Sequence, residues 1–125
     1  MIKKIIKHKG GLRALALLEV DQFHKAAREF RKIMPKFDIN DYPDLLSFTS
    51  TNKMPGLTFR LAAILRNDHG KILLGGLYPI PSWETETSDL KDRALVYAIA
   101  RQESGFNPRA KSSSKAMGIM QIIPS

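Results

Sequence analysis

Residues 10–34 read GGLRALALLEVDQFHKAAREFRKIM, and the spacing of apolar residues in this stretch decides the fold class. Leu12, Leu15 and Ala16, then Val20, Phe23, Ala26, Ala27, Phe30, Ile33 and Met34 recur mostly at three- and four-residue steps, the period of one helix face. Lys25, Arg28, Glu29, Arg31 and Lys32 fill the opposite face. Val20-Asp21 is a place for the stretch to break into two helices, with Asp21 as the cap of the second, and Pro35 stops it.

Working outward, Phe37–Pro55 reads as irregular or only briefly helical, punctuated by Pro43, Asn52 and Pro55. Leu57–Arg66 gives a further helix with Leu57, Leu61, Ile64 and Leu65 as its stripe, and Asn67–Gly70 reads as a turn. Ile72-Leu73-Leu74 fits a short strand or a helical turn. Pro79 and Pro81 force Leu77–Trp83 into an extended linker. Thr87 or Ser88 then caps a helix through about Glu103, with Asp89 and Asp92 suited to its positive end and Gly105 to its termination. The expected organisation is all-α, with a helical segment over 1–76 that suits a solenoid, a linker over 77–87, and a second unit over 88–125. That second unit has only about forty residues, which rarely form an independent core, so it reads as incomplete.

The whole chain has 125 residues, near the common size of one domain. It has no Cys, which excludes disulfides, thiolate metal sites and a Cys nucleophile. The net charge of +8 is concentrated at the amino end, where residues 1–36 carry ten Lys/Arg against three Asp/Glu. Such an end can attract nucleic acid, anionic lipid or an anionic polymer, or simply be a solvated helix face. No run approaches the roughly 18 apolar residues of a membrane span. Met1–Lys7 begins like a signal peptide, but Lys7, Lys9 and Arg13 interrupt the apolar stretch that should follow, so no convincing export signal is read.

His8, His24 and His69 are too far apart for metal-ligand spacing, and no phosphate-binding glycine loop or serine-hydrolase elbow occurs, so neither metal nor cofactor is expected. Glu84, Glu86, Asp89 and Asp92 read as linker surface and helix-end charge. Glu103 differs. It stands at a helix carboxyl end, facing the negative pole of the macrodipole, beside Phe106. Both that pole and burial against Phe106 would favour the protonated acid, as a glycosidic leaving oxygen requires. Taken alone, a lone Glu at this place fits a structural role better than a catalytic one.

The surroundings of Glu103 change that reading. Ala100-Arg101-Gln102-Glu103-Ser104-Gly105-Phe106-Asn107-Pro108-Arg109-Ala110-Lys111-Ser112, continuing through Ala116-Met117-Gly118-Ile119-Met120-Gln121-Ile122-Ile123-Pro124, closely resembles the catalytic signature of soluble lytic murein transglycosylases. Leu77–Pro81 resembles the linker before the catalytic domain of that family, and the helices of residues 10–75 resemble the end of its superhelix more weakly. The resemblance implies a helical-superhelix segment followed by the start of a lysozyme-like domain, and a periplasmic or cell-envelope location. It implies that Glu103 is the sole acid/base. Glu103 would protonate the oxygen joining MurNAc to GlcNAc in peptidoglycan and then accept the proton of the MurNAc C6 hydroxyl, which attacks C1 to give a 1,6-anhydro sugar. One carboxylate then suffices where ordinary glycosidases use two, because the nucleophile belongs to the substrate. Ser112, Met120 and Gln121 match positions lining the glycan cleft.

Lys115 stands where the family usually has Gly, which adds strain if the backbone there needs positive φ. The family's domain also continues past the Met-Gln segment, so the 125-residue chain alone is expected to be weakly active or inactive. Peptidoglycan strands are the expected partner; nucleic acid is not, since no stacking platform or reading helix is present. The rival readings are a goose-type lysozyme that hydrolyses with water, an inactive remnant serving as a helical interaction module, and a basic nucleic-acid-binding helical protein.

Overall fold

The computed structural model describes residues 1–83, 85–86 and 88–124. The chain is all-α, and among the described residues the only β pairing is two isolated bridges. By its contacts the chain divides into two compact units, Met1–Pro79 and Ile80–Ser125.

The first unit holds six helices: α1 (Ile2–Ile5), α2 (Lys9–Glu19), α3 (Phe23–Ile33), α4 (Tyr42–Thr51), α5 (Pro55–His69) and α6 (Leu74–Leu77). The long amphipathic stretch does break, over Val20–Gln22. Asp21 is not the cap, however. It takes a left-handed conformation with φ 55°, and Gln22 occupies the cap position. Pro35 ends the α-helix as expected, inside a 3-10 turn over Met34–Lys36.

The segment read as irregular or only briefly helical contains the ten-residue α4. Pro43 sits in its first turn, where a missing N–H costs nothing, so it starts the helix instead of breaking it. Tyr42, Leu45 and Thr49 form the buried stripe. Helix α5 is longer than its apolar stripe. It runs through the residues expected to turn and ends only at Gly70, where the Lys71 N–H donates to the Leu65 carbonyl at 2.9 Å.

The helices pair through close approach at small residues. A Cβ on Gly11 would stand 2.0 Å from the Ile5 carbonyl oxygen, and one on Gly76 would stand 2.7 Å from the Ala62 Cβ. At the α4–α5 junction the buried hydroxyls of Thr49 and Thr58 lie 3.0 Å apart, and each also reaches a carbonyl of its own chain neighbourhood, Leu46 and Met54 respectively. Phe30, Leu45, Leu57, Leu61 and Leu65 are the large buried side chains of this core. Each contributes roughly 1.5–3 kcal/mol of burial. Phe30 meets Phe48 edge-on, with ring centroids 5.5 Å apart. Glu29 is buried as well, and it is paired: Lys32 donates to it at 2.7 Å and Arg13 at 2.9 Å.

The second unit holds one long helix, α7 (Leu90–Ser104), followed by a folded loop. Asp89 caps α7 by accepting the Lys91 N–H at 2.7 Å. Of the two caps expected from sequence, Ser88 does not hold that position and Thr87 lies outside the described residues. The small core of this unit gathers Ala100, Phe106 and Ala116, with Trp83 packed edge-on against both Tyr97 and Phe106.

Candidate functional site

Helix α7 ends in a turn that follows directly from its residues. Gly105 adopts φ 57°, and the Phe106 N–H reaches back to the Ala100 carbonyl at 3.2 Å. This six-to-one closure drives Phe106 inward, where it is 5% exposed and rests on Trp83. Asn107 then holds the next turn, its side-chain oxygen accepting the Arg109 N–H at 3.1 Å. Phe106 and Asn107 thus shape the turn.

Ser104 joins this helix end to the loop that follows. Its hydroxyl lies 2.8 Å from the Ile119 carbonyl and 3.1 Å from the Ala100 carbonyl, and it accepts the Asn107 N–H at 3.1 Å. The contact to Ile119 crosses fifteen residues of sequence. It sets the carboxyl end of α7, which carries Glu103, against the turn Gly118–Gln121, which carries Met120 and Gln121.

The loop itself is closed by its backbone. Ser112 and Ala116 are tied twice: the Ser112 N–H donates to the Ala116 carbonyl, and the Ala116 N–H donates to the Ser112 hydroxyl oxygen, both at 3.0 Å. Met117 and Ile122 exchange both N–H···O bonds, at 2.9 and 3.2 Å. Between them Gly118 turns with φ 78°, a conformation only glycine takes freely. Lys115 takes φ 63°. The strain anticipated from a lysine at this place is therefore present.

Glu103 is exposed on the last turn of α7. Among the described residues it makes no hydrogen bond or ion pair, so its carboxyl is not held by any arginine. The burial against Phe106 anticipated from sequence does not occur, because the Gly105 turn sends the Phe106 ring to the Trp83 side while Glu103 stays in water. Ser112 is exposed and Met120 half-buried. Gln121 is half-buried at φ 49°, and its side-chain amide donates to the Gly118 carbonyl at 2.8 Å. Sequence reasoning missed the pairing of Trp83 with Tyr97 and Phe106. The one available signal was a lone Trp just before a helix with aromatic residues on it. An open cavity of about 610 Å³ lies in the first unit, between Leu46–Thr51 and Ile72–Gly76.

No group of three or more His, Asp or Glu side chains among the described residues could hold a metal ion. No helix of the described residues is long and apolar enough to cross a membrane.

Residues 82–125 match the family model of the Transglycosylase SLT domain. A protein of Haemophilus influenzae named "Putative soluble lytic murein transglycosylase" is 54% identical over 33 residues. These make up 26% of this chain and 6% of that protein, so the chain spans only a small part of the curated relative it matches. No solved structure matches the chain.

Proposed function

We propose, from the match of residues 82–125 to the Transglycosylase SLT domain model, that the chain is part of a lytic murein transglycosylase, with Glu103 as its acid/base. The supporting observation is the Ser104 bond to Ile119, which brings the helix end bearing an unpaired carboxyl against the Gly118–Gln121 turn. A free carboxyl beside a turn of fixed shape is what proton delivery to a glycosidic oxygen needs. In the first step Glu103 gives its proton to the oxygen between MurNAc and GlcNAc as the C1–O bond breaks. In the second the carboxylate takes the proton of the C6 hydroxyl, whose oxygen bonds to C1. Proton and bond counts then balance without water, and Glu103 returns to its starting state.

Ser112 and Gln121 would offer a hydroxyl and an amide to the sugar, and Met120 an apolar contact. The Gln121 amide is engaged with Gly118, so sugar binding would compete with that bond. Glu103 is also exposed to water, and an acid in water lacks the strengthened electrostatics of a site that excludes it. The 125-residue chain on its own is therefore a weak enzyme in this reading. The periplasm or cell envelope, where murein lies, is the corresponding location.

Digestion of purified murein sacculi by the chain tests this reading. Slow release of 1,6-anhydro-muropeptides, abolished in Glu103→Gln, is the expected result. Reducing-end products would instead make the enzyme a hydrolase. Equal activity of wild type and Glu103→Gln would remove Glu103 from the chemistry.

A further inference from the structure

The basic amino end takes a defined shape, and α1 sorts its residues by face. Ile5 is fully buried against α2 at Gly11, whose missing Cβ leaves room for the Ile5 carbonyl. His8 anchors the chain just beyond, its ring centroid 5.3 Å from that of Phe37. Ile6 keeps a right-handed helical backbone, and its N–H donates to the Ile2 carbonyl at 3.0 Å. Ile2 and Ile6 are therefore stacked one turn apart, and they are 55% and 43% exposed. With about 100° between successive residues, this pair stands beside the buried Ile5 face, and the exposed Lys3 and Lys7 come next around the turn.

Five cations and no acid fall within Met1–Arg13. Two of the five are neutralised, Lys4 by Asp41 and Arg13 by Glu29. The side chains of Lys3, Lys7 and Lys9 are exposed and form no hydrogen bond or ion pair with a described residue. Exposed aliphatic side chains flanked by free ammonium groups match a surface that is anionic on top and apolar beneath, because lysine can bury its stem while its head stays at the phosphates. A phospholipid headgroup layer has that order. A nucleic acid would call for guanidinium forks or stacking rings, and Met1–Leu12 contains no Arg, Phe, Tyr or Trp. No helix of the described residues is long and apolar enough to cross a membrane, so the contact would lie on the surface.

We propose that the face of α1 carrying Ile2, Ile6, Lys3 and Lys7 docks on an anionic phospholipid surface. The two isoleucines enter the boundary between headgroups and acyl chains, and the lysines meet lipid phosphates, with Lys9 adding to the attraction. One helical turn with two aliphatic anchors gives reversible attachment. The proposal goes beyond the transglycosylase reading and stands whether or not Glu103 is an acid/base.

Co-sedimentation of the full chain with phospholipid vesicles tests it. Binding is expected to an equal mixture of phosphatidylglycerol and phosphatidylcholine, and not to phosphatidylcholine alone. Lys3→Gln/Lys7→Gln should bind about 25-fold more weakly, or about fivefold per lysine. The control is Lys25→Gln/Lys53→Gln, which removes the same charge at the other end of α3. There Lys53 lies over the Phe23 ring, whereas a Cβ on Gly10, beside α1, would touch Ile33. At 1.5 Å per residue the two ends are about 15 Å apart, beyond a Debye length, so the control should bind within about twofold of wild type. Ile2→Ser/Ile6→Ser should weaken binding about tenfold through lost apolar contact and melt as wild type, since both residues are already exposed. Ile6→Trp should bind more tightly, because an indole favours the headgroup layer. Equal binding to phosphatidylcholine alone, equal weakening by the control, or no response to either isoleucine variant would each overturn the proposal. Tighter binding to a duplex oligonucleotide or to sacculi, dependent on Lys3 and Lys7 and indifferent to Ile2 and Ile6, would overturn it in favour of a polyanion.

Discussion

Two residues carry opposite lessons about backbone constraint. Lys115 sits at φ 63° in the loop that follows α7, a conformation that costs an L-residue with a Cβ about 1 kcal/mol. Its side chain is exposed and makes no hydrogen bond or ion pair with a described residue that would offset this. Lys115→Gly should therefore raise the stability of the second unit by up to about 1 kcal/mol, less the extra freedom glycine brings to the unfolded chain. Chemical denaturation followed by the fluorescence of Trp83 would measure it, and a loss of stability would mean the lysine side chain has a role of its own. Gly11 is the converse case. Alanine is the better helix former, yet its Cβ would stand 2.0 Å from the Ile5 carbonyl oxygen, which is backbone and cannot swing away. Gly11→Ala should cost about 2 kcal/mol or more, read as a drop in the denaturant midpoint of helicity. A neutral outcome would show that α1 is free to move off α2.

At the scale of elements, the α4–α5 junction turns on one pair of hydroxyls. Thr58 can donate to the Met54 carbonyl while Thr49 donates either to Thr58 or to the Leu46 carbonyl. Thr58→Val should cost about 1 kcal/mol, since it removes a buried acceptor and a donor together. Thr49→Val in that background should cost clearly less than it does alone, because the shared bond is already gone. A double-variant cycle with strictly additive costs would sink this account. This junction also marks the limit of what the sequence made legible. The amphipathic stretch of α2 and α3 and the stripe of α5 followed from spacing, and the span of α7 from its end signals, with the cap at Asp89 instead of Thr87 or Ser88. Helix α4 did not, because Pro43 reads as a breaker unless one knows that it occupies a first turn. The end of α5 was misplaced because polar Asn67, Asp68 and His69 resemble a turn while the chain stays helical to the glycine. In the candidate site, the motif around Glu103 was visible as a run of residue types. The water exposure of Glu103 was not, since it depends on which way the Gly105 turn throws Phe106. The Ser104 bond to Ile119 spans fifteen residues and leaves no local trace in the sequence.

Across the whole chain, the two units differ in how much they bury and in what titrates. The first unit encloses a core that runs from Ile5 to Leu77, whereas α7 leaves Leu90 and Leu95 exposed and the loop leaves Ile122 and Ile123 exposed. A unit as short as Ile80–Ser125 with so small a core is marginal on its own. Trp83, the single tryptophan, lies in that unit, while most of the helix lies in the other. Thermal unfolding should thus be non-coincident, with Trp83 fluorescence changing at a lower temperature than far-ultraviolet circular dichroism. The circular dichroism transition should carry the acid dependence of Glu29. Hydrogen bonds from Lys32 first and Arg13 second hold its carboxyl below the ordinary value of 4.5. A depressed carboxyl contributes stability that is present above 4.5 and is lost as the pH falls through its lowered value. Acidification below that range should lower the helical melting temperature of wild type, and Glu29→Gln should show a lower melting temperature near neutrality with a shallower fall in acid. Coincident melting by the two probes would contradict the division into a robust and a marginal unit. An unchanged acid slope in Glu29→Gln would show that other carboxylates set the acid response.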